Sequence, residues 1–74
     1  GYSDISIYTP EHIGIIIELK YAHDGNLEKA CAKALQQIRE KKYAVGLRRR
    51  GMERIKAYGI AFYEKECMVA SGET

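Results

Sequence analysis

Cysteine is scarce in this sequence of 74 residues, which has only Cys31 and Cys67. Neither cysteine has a C-x-x-C partner, and His12 and His23 lie apart from both, so the spacing of a zinc site is absent. Each cysteine lies in an apolar pattern, and we expect both to be buried free thiols. Free thiols are typical of a reducing compartment, so the sequence predicts a cytoplasmic location.

Long apolar runs and a large net charge are lacking as well. The longest apolar run is far shorter than the roughly 20 residues that span a bilayer, and we expect no signal peptide and no membrane partner. The net charge is only +2, so affinity for nucleic acid would require a local basic patch. The densest candidate is Arg48, Arg49 and Arg50, although three successive arginines are most often a solvated surface.

Low-complexity segments and internal repeats are also missing. Apolar residues make up 46% of the chain and charged residues 30%, which is ordinary for a globular domain and argues against disorder. A chain of this length has room for one small core. We therefore expect residues 1–74 to form a single domain.

The pattern of apolar residues predicts four strands and one long helix. The segment "SDISIYT" alternates polar and apolar residues, Pro10 interrupts it, and "IGIIIELKY" follows as a strongly apolar strand. Residues 27–42 have apolar side chains at helical spacing, with Asn26 as a plausible N-cap. Strands are predicted at 54–63 and 66–70. The predicted fold is α/β, a mixed four-stranded sheet with one main crossover helix.

Burial favours one register of the first hairpin. If Thr9 pairs with Ile13, Ile7 faces Ile15 and the isoleucines of both strands form one apolar face. In the same register Asp4 lies directly opposite Glu18. A two-residue loop would instead place isoleucine against glycine and leave less apolar surface buried.

This register predicts Asp4, Glu18 and Lys20 on one face at the open end of the hairpin. Two carboxylates on directly opposite residues, with Cβ atoms about 5 Å apart, repel unless one is protonated or a cation lies between them. A divalent ion with oxygen ligands, such as Mg²⁺, removes that conflict. A neighbouring lysine can orient water or stabilise phosphate charge, so the residues point to metal-assisted phosphodiester hydrolysis. The alternative is a solvated strand end with a weak surface ion pair.

The ordered segments "SD", "IIIELK", "ALQQI" and "KKY" resemble the PD-(D/E)XK nuclease superfamily. More closely, "GYSDISI", "IIELKY", "ALQQIREKKYA" and "YGIAFYEKEC" resemble the nuclease-like domain at the C-terminal end of bacterial AAA-ATPase-like proteins. The resemblance covers nearly the whole chain and implies a restriction-endonuclease-like core. The helix that usually precedes the first strand is missing and Ser3 replaces the family's proline, so we expect a fragment of a longer protein that carries an ATPase-like domain.

The resemblance also implies roles for individual residues. Asp4 and Glu18 become ligands of Mg²⁺ or Mn²⁺, with the carbonyl of Leu19 as a third ligand, and Asp4, Glu18 and Lys20 form the catalytic set. The expected substrate is nucleic acid, DNA in the first place and RNA as the alternative. The resemblance gives Gln37 and Tyr43 as expected substrate-binding residues, and the basic cluster adds Arg48, Arg49 and Arg50.

Two further expectations concern partners. The alternative function is a non-catalytic module that keeps the nuclease fold and binds nucleic acid or protein, using Arg48 to Arg50 with Lys41 and Lys42 as phosphate contacts. One long helix covers only one face of the sheet, so the other face would expose isoleucine and leucine side chains. We therefore expect the isolated domain to form a homodimer.

Overall fold

Four strands and two helices make up the fold in the computed structural model. It describes residues 4–73, and the side chains of residues 5–72. In chain order the elements are β1 (Asp4–Tyr8), β2 (Ile13–Tyr21), α1 (Leu27–Glu40), α2 (Tyr43–Arg49), β3 (Arg54–Tyr63) and β4 (Glu66–Glu73).

The strands form one mixed sheet in the order β1-β2-β3-β4. The outer pairs, β1 with β2 and β3 with β4, are antiparallel, whereas the central strands β2 and β3 are parallel. A parallel pair needs a crossover connection, and α1 and α2 supply it. The predicted α/β fold class is confirmed, with a second short helix in addition to the main crossover helix.

The register of the first hairpin is the predicted one. The backbone N–H of Thr9 donates a hydrogen bond to the carbonyl oxygen of Ile13 at 3.1 Å. Ile7 then pairs with Ile15, and Asp4 pairs with Glu18. Apolar burial and the three-residue loop at Pro10 were therefore sufficient to fix the pairing.

Helix α1 begins at its predicted N-cap and ends slightly earlier than predicted. The side-chain oxygen of Asn26 accepts a hydrogen bond from the backbone N–H of Lys29 at 3.1 Å. The helix ends at Glu40 rather than at residue 42, because Lys42 adopts a left-handed conformation with φ of 55°. This left-handed residue redirects the chain into α2, which the sequence pattern did not predict.

Both helices pack on the same face of the sheet. One core cluster brings α2 against the start of β2 and β3, and its buried residues are Ile16, Ile38, Leu47, Met52, Ile55 and Ala57. A second cluster lies under the first half of α1 and contains Ala22, Ala30, Cys31 and Ala61. Within the described residues, no helix is long and apolar enough to cross a membrane.

The opposite face of the sheet carries apolar side chains that neither α1 nor α2 covers. Ile5 is 45% exposed, Ile7 40% and Val69 57%. The expectation of a buried thiol is confirmed for Cys31 and is wrong for Cys67, which is exposed. Cys67 pairs with Phe62, and side-chain alternation along β4 places both on the uncovered face.

Candidate active-site cleft

Glu18 is a charged residue at a core position. Side chains alternate along β2, and the buried positions are Gly14, Ile16 and Glu18. Glu18 is only 2% exposed, and it is the one buried charged side chain among the described residues. Its oxygen Oε1 is itself buried, and Glu18 interacts with other residues. Burial of a carboxylate costs free energy that an aliphatic residue would not, so packing does not explain this residue.

Lys20 and the backbone of Leu19 extend the site along β2. Lys20 is half-buried and lies two residues after Glu18, on the same face of the sheet. Asp4 is the cross-strand partner of Glu18, and its side chain lies outside the described set. The structure therefore brings Glu18, Leu19 and Lys20 together, with Asp4 opposite Glu18 in the register.

An open cleft of about 620 Å³ lies at this end of the sheet. One side is formed by residues 18–24, which are the end of β2 and the loop after it. The other side is formed by α1 and its C-cap, through Lys29, Ala30, Lys33, Gln37 and Lys41. Glu18 and Lys20 thus share a solvent-accessible space with a helix face that is mainly basic.

The predicted substrate-binding residues are divided by the fold. Gln37 is half-buried and lines the cleft beside Glu18 and Lys20. Tyr43 packs against the core cluster near α2, and the Nζ atom of Lys41 lies 5.9 Å from the centre of its ring. Tyr43 is therefore one contact away from the cleft and does not line it.

Arg48, Arg49 and Arg50 lie at a different place, near the other end of β2. The guanidinium carbon of Arg50 lies 5.1 Å from the centre of the Tyr8 ring, and Tyr8 pairs with Gly14. Gly14 precedes Glu18 by four residues, which is about 13 Å along a strand. The structure does not bring these arginines to the cleft.

The loop between β2 and α1 has its own hydrogen-bonded turn. The backbone N–H of Asn26 donates to the Oδ1 atom of Asp24 at 2.9 Å. This hydrogen bond, with smaller contributions from the positive charges of Lys29 and Lys33, lowers the pKa of the Asp24 carboxyl group below its usual value of 3.8. Asp24 is consequently a fixed negative charge at the rim of the cleft at neutral pH.

Two lysines of the cleft wall, Lys29 and Lys33, were missed as site residues in the sequence, whereas Lys41 was expected as a phosphate contact of the non-catalytic alternative. Lys29 and Lys33 on α1 and Lys41 at its C-cap are exposed and fall in one row with Gln37. The sequence does show these residues at intervals of four, a spacing that places side chains on one helix face. Tyr21 and His23 also line the cleft, with ring centres 5.0 Å apart.

The donor atoms at the strand end fit a hard divalent ion. Mg²⁺ and Mn²⁺ prefer carboxylate, carbonyl and water oxygens, and the carboxylate of Glu18 is already withdrawn from bulk water. Among the side chains that the structure describes, no three His, Cys, Asp or Glu residues cluster in a way that could hold a metal. A metal at this position would depend on Asp4 and on backbone or water oxygens in addition to Glu18.

A crossover helix packed on a mixed four-stranded sheet, with a Glu-x-Lys strand end opening into a basic cleft, defines a nuclease-like α/β fold. The family model described as the PD-(D/E)XK nuclease superfamily matches residues 1–72. The chain therefore belongs to the PD-(D/E)XK nuclease superfamily. Searches of curated proteins and of solved structures found no match.

Proposed function

We propose that this chain is a metal-dependent nuclease domain that hydrolyses phosphodiester bonds in DNA, with RNA as the alternative substrate. The observation that carries the proposal is the nearly complete burial of Glu18 beside Lys20 in a cleft with a basic wall. A carboxylate contributes no apolar packing, so a chemical role is the simplest explanation for its burial. Membership of the nuclease superfamily supports the same reaction class.

The carboxylates of Asp4 and Glu18 and the carbonyl oxygen of Leu19 would hold Mg²⁺ or Mn²⁺. When bound, such an ion polarises the phosphate and lowers the pKa of a bound water. The ammonium group of Lys20 stabilises the negative charge that develops on the phosphate and orients the attacking water. Lys20 acts on the substrate and not on the ion, so its loss should leave metal binding intact.

Substrate contacts are proposed at two distances from the reacting bond. Gln37 donates hydrogen bonds from the cleft wall to the phosphate or sugar near the cut. Tyr43 holds Lys41 in place through its ring. Arg48, Arg49 and Arg50 contact phosphates farther along the strand, since they lie near the opposite end of β2.

The setting of the domain also forms part of the proposal. The resemblance of four sequence segments supports a bacterial protein with an ATPase-like domain in the same full-length chain. The free thiols of Cys31 and Cys67 support a cytoplasmic location. The uncovered sheet face supports a homodimer of the isolated domain.

The first prediction is that Lys20→Ala and Glu18→Gln abolish cleavage by different routes. With supercoiled plasmid DNA and Mg²⁺ or Mn²⁺, each variant should cut at least about 100-fold more slowly than the wild-type chain. In calorimetric titration with Mn²⁺ alone, Lys20→Ala should bind like the wild type and Glu18→Gln should bind more weakly. Lys65→Ala, at an exposed turn and not among the residues that line the cleft, is the matched control and should cut normally.

Cleavage by Lys20→Ala at the wild-type rate would remove the role assigned to this lysine. A wild-type chain that binds DNA without cutting it in either metal, and tolerates Glu18→Gln, would instead be a non-catalytic binding module. Circular dichroism melting curves establish that each variant is folded before either conclusion is drawn.

A further inference from the structure

The cleft-facing surface of α1 carries a regular row of cations. Lys29, Lys33, Gln37 and Lys41 follow one another at intervals of four residues. Each interval corresponds to about 6 Å of helix, so the row is roughly 18 Å long. All four residues line the same cleft as Glu18 and Lys20.

This row is costly as a surface feature of the helix. Like charges four residues apart destabilise an isolated helix, and Lys29 and Lys33 have that spacing. Both lysines also act electrostatically on Asp24, which belongs to the loop on the other side of the cleft. Both lysines therefore lie close enough to this loop to interact with its carboxylate.

We propose that Lys29, Lys33 and Lys41 form a track that binds the phosphates of one DNA strand and leads it to Glu18 and Lys20. One strand rises about 3.4 Å per nucleotide, so a row of this length spans about five nucleotides. Ammonium groups bind phosphates as point charges without reading bases. This inference rests on the proposed function and names the surface that positions the substrate.

Gln37 interrupts the row between Lys33 and Lys41. Its amide donates hydrogen bonds without adding charge. The track thus has two lysines on one side of Gln37 and one on the other. The arrangement predicts that Lys29 and Lys33 bind the same segment of the DNA strand. Replacing both lysines should therefore remove two neighbouring phosphate contacts.

The second prediction tests the track by the salt dependence of binding. The variant is Lys29→Gln with Lys33→Gln, and the control is Arg39→Gln with Lys65→Gln, which removes two exposed cations that do not line the cleft. Binding of a short fluorescein-labelled DNA duplex is followed by anisotropy in EDTA, with KCl varied from about 50 to 200 mM. Without metal, no cleavage competes with binding.

The track variant should bind about five- to tenfold more weakly than the wild type at equal salt. Each lost phosphate contact lowers the magnitude of the slope of log K against log salt by about 0.9, so the variant should lose about 1.8. The control should keep a slope close to that of the wild type. Glutamine is a good helix former, and melting curves verify that α1 is intact.

Equal losses of DNA affinity and of salt slope in the track variant and the control would overturn the proposal, because binding would then depend only on net charge. The proposal would also be overturned if a variant with Arg48→Gln and Arg49→Gln lost part of the slope of log K against log salt while the track variant kept the wild-type slope. The absence of measurable binding by the wild-type chain would have the same consequence. A chain that binds through the track but never cleaves refutes the nuclease function alone, and a chain that cleaves without using the track refutes the track alone.

Discussion

Glu18 occupies a position where a strand of this pattern would ordinarily carry an aliphatic side chain. Gly14 and Ile16 precede it on the buried face of β2, and its partner on β3 is Gly59. The absence of a side chain at Gly59 leaves room beside the carboxylate for α1 to pass closely over the sheet. Two neighbouring positions thus depend on each other, because the glycine permits the helix to cover the glutamate.

Asp24 gives a residue-scale prediction for the dependence of stability on pH. Its pKa is lowered in the folded chain, chiefly by the N–H of Asn26, so its ionised form stabilises the fold. This stabilisation is complete above the unfolded pKa and is lost as the pH falls through the lower folded pKa. Asp24→Asn should therefore be less stable than the wild type at pH 7 and equally stable well below pH 3.8.

Urea denaturation of both proteins at neutral and acidic pH measures this difference. Asp24→Asn keeps an oxygen that can accept the hydrogen bond of Asn26, so the comparison isolates the negative charge. A stability gap of the same size at both pH values would contradict the prediction. Such a result would mean that the substitution changes stability through the geometry of the turn and not through the charge of Asp24.

At the scale of elements, α1 and β3 approach most closely at Gly59. A Cβ atom at this position would lie 2.7 Å from the carbonyl oxygen of Cys31 and 3.0 Å from the Cβ atom of Ala34. Backbone atoms of a packed helix cannot move aside cheaply. Gly59→Ala should therefore destabilise the chain by about 1 to 3 kcal/mol and push α1 away from Glu18.

Gly46→Ala is the matched control, since a Cβ atom at Gly46 in α2 meets nothing within 4 Å. Alanine is the better helix former, so this variant should be about 0.5 to 1 kcal/mol more stable than the wild type. Equilibrium denaturation measures both changes. If Gly59→Ala were as stable as Gly46→Ala, the close contact would carry no energetic weight.

Sequence reasoning succeeded where local periodicity decides the structure. The register of Asp4 with Glu18, the N-cap at Asn26 and the bounds of β3 all follow from short patterns. It failed at Lys42, because a left-handed lysine is set by the packing of α2 and not by local preference. It failed at Cys67 because an apolar neighbourhood in sequence does not say which face of the sheet is covered.

The candidate site was predictable in its strand residues and not in its helix wall. Glu18, Lys20 and the pairing with Asp4 followed from alternation along two strands. Lys29 and Lys33 were visible as a helical row, but only the tertiary structure shows that α1 turns this row toward β2. A charged helix face is ordinarily solvated, so the sequence alone gave no reason to assign it a ligand.

At the scale of the whole molecule, the uncovered sheet face is the most prominent surface. Its exposed apolar side chains come from the edge and central strands, and they include Ile5, Ile7, Phe62 and Val69. Patches of this kind mark interaction surfaces more often than free solvent-facing surfaces. Both helices lie on the other side, so neither of them competes for this face.

The isolated domain should self-associate through this face as a two-fold dimer. Ile7→Lys places a charge within the apolar patch and should shift the chain toward monomer in sedimentation velocity at high micromolar concentration. Val45→Lys is the matched control, because Val45 is similarly exposed on α2. A wild-type chain that sediments as a monomer, or a control that dissociates equally, would contradict the prediction.

The parallel pairing of β2 with β3 also governs how the chain reaches its folded state. The two hairpins form from neighbouring segments, whereas β2 meets β3 only after the crossover of residues 22–53 has closed. Contacts between distant segments form late and set the folding rate in small domains. Glu18 is buried by α1 and paired with Gly59, so the cleft belongs to this late, non-local part of the fold. A partly folded chain with both hairpins in place would therefore contain no assembled site.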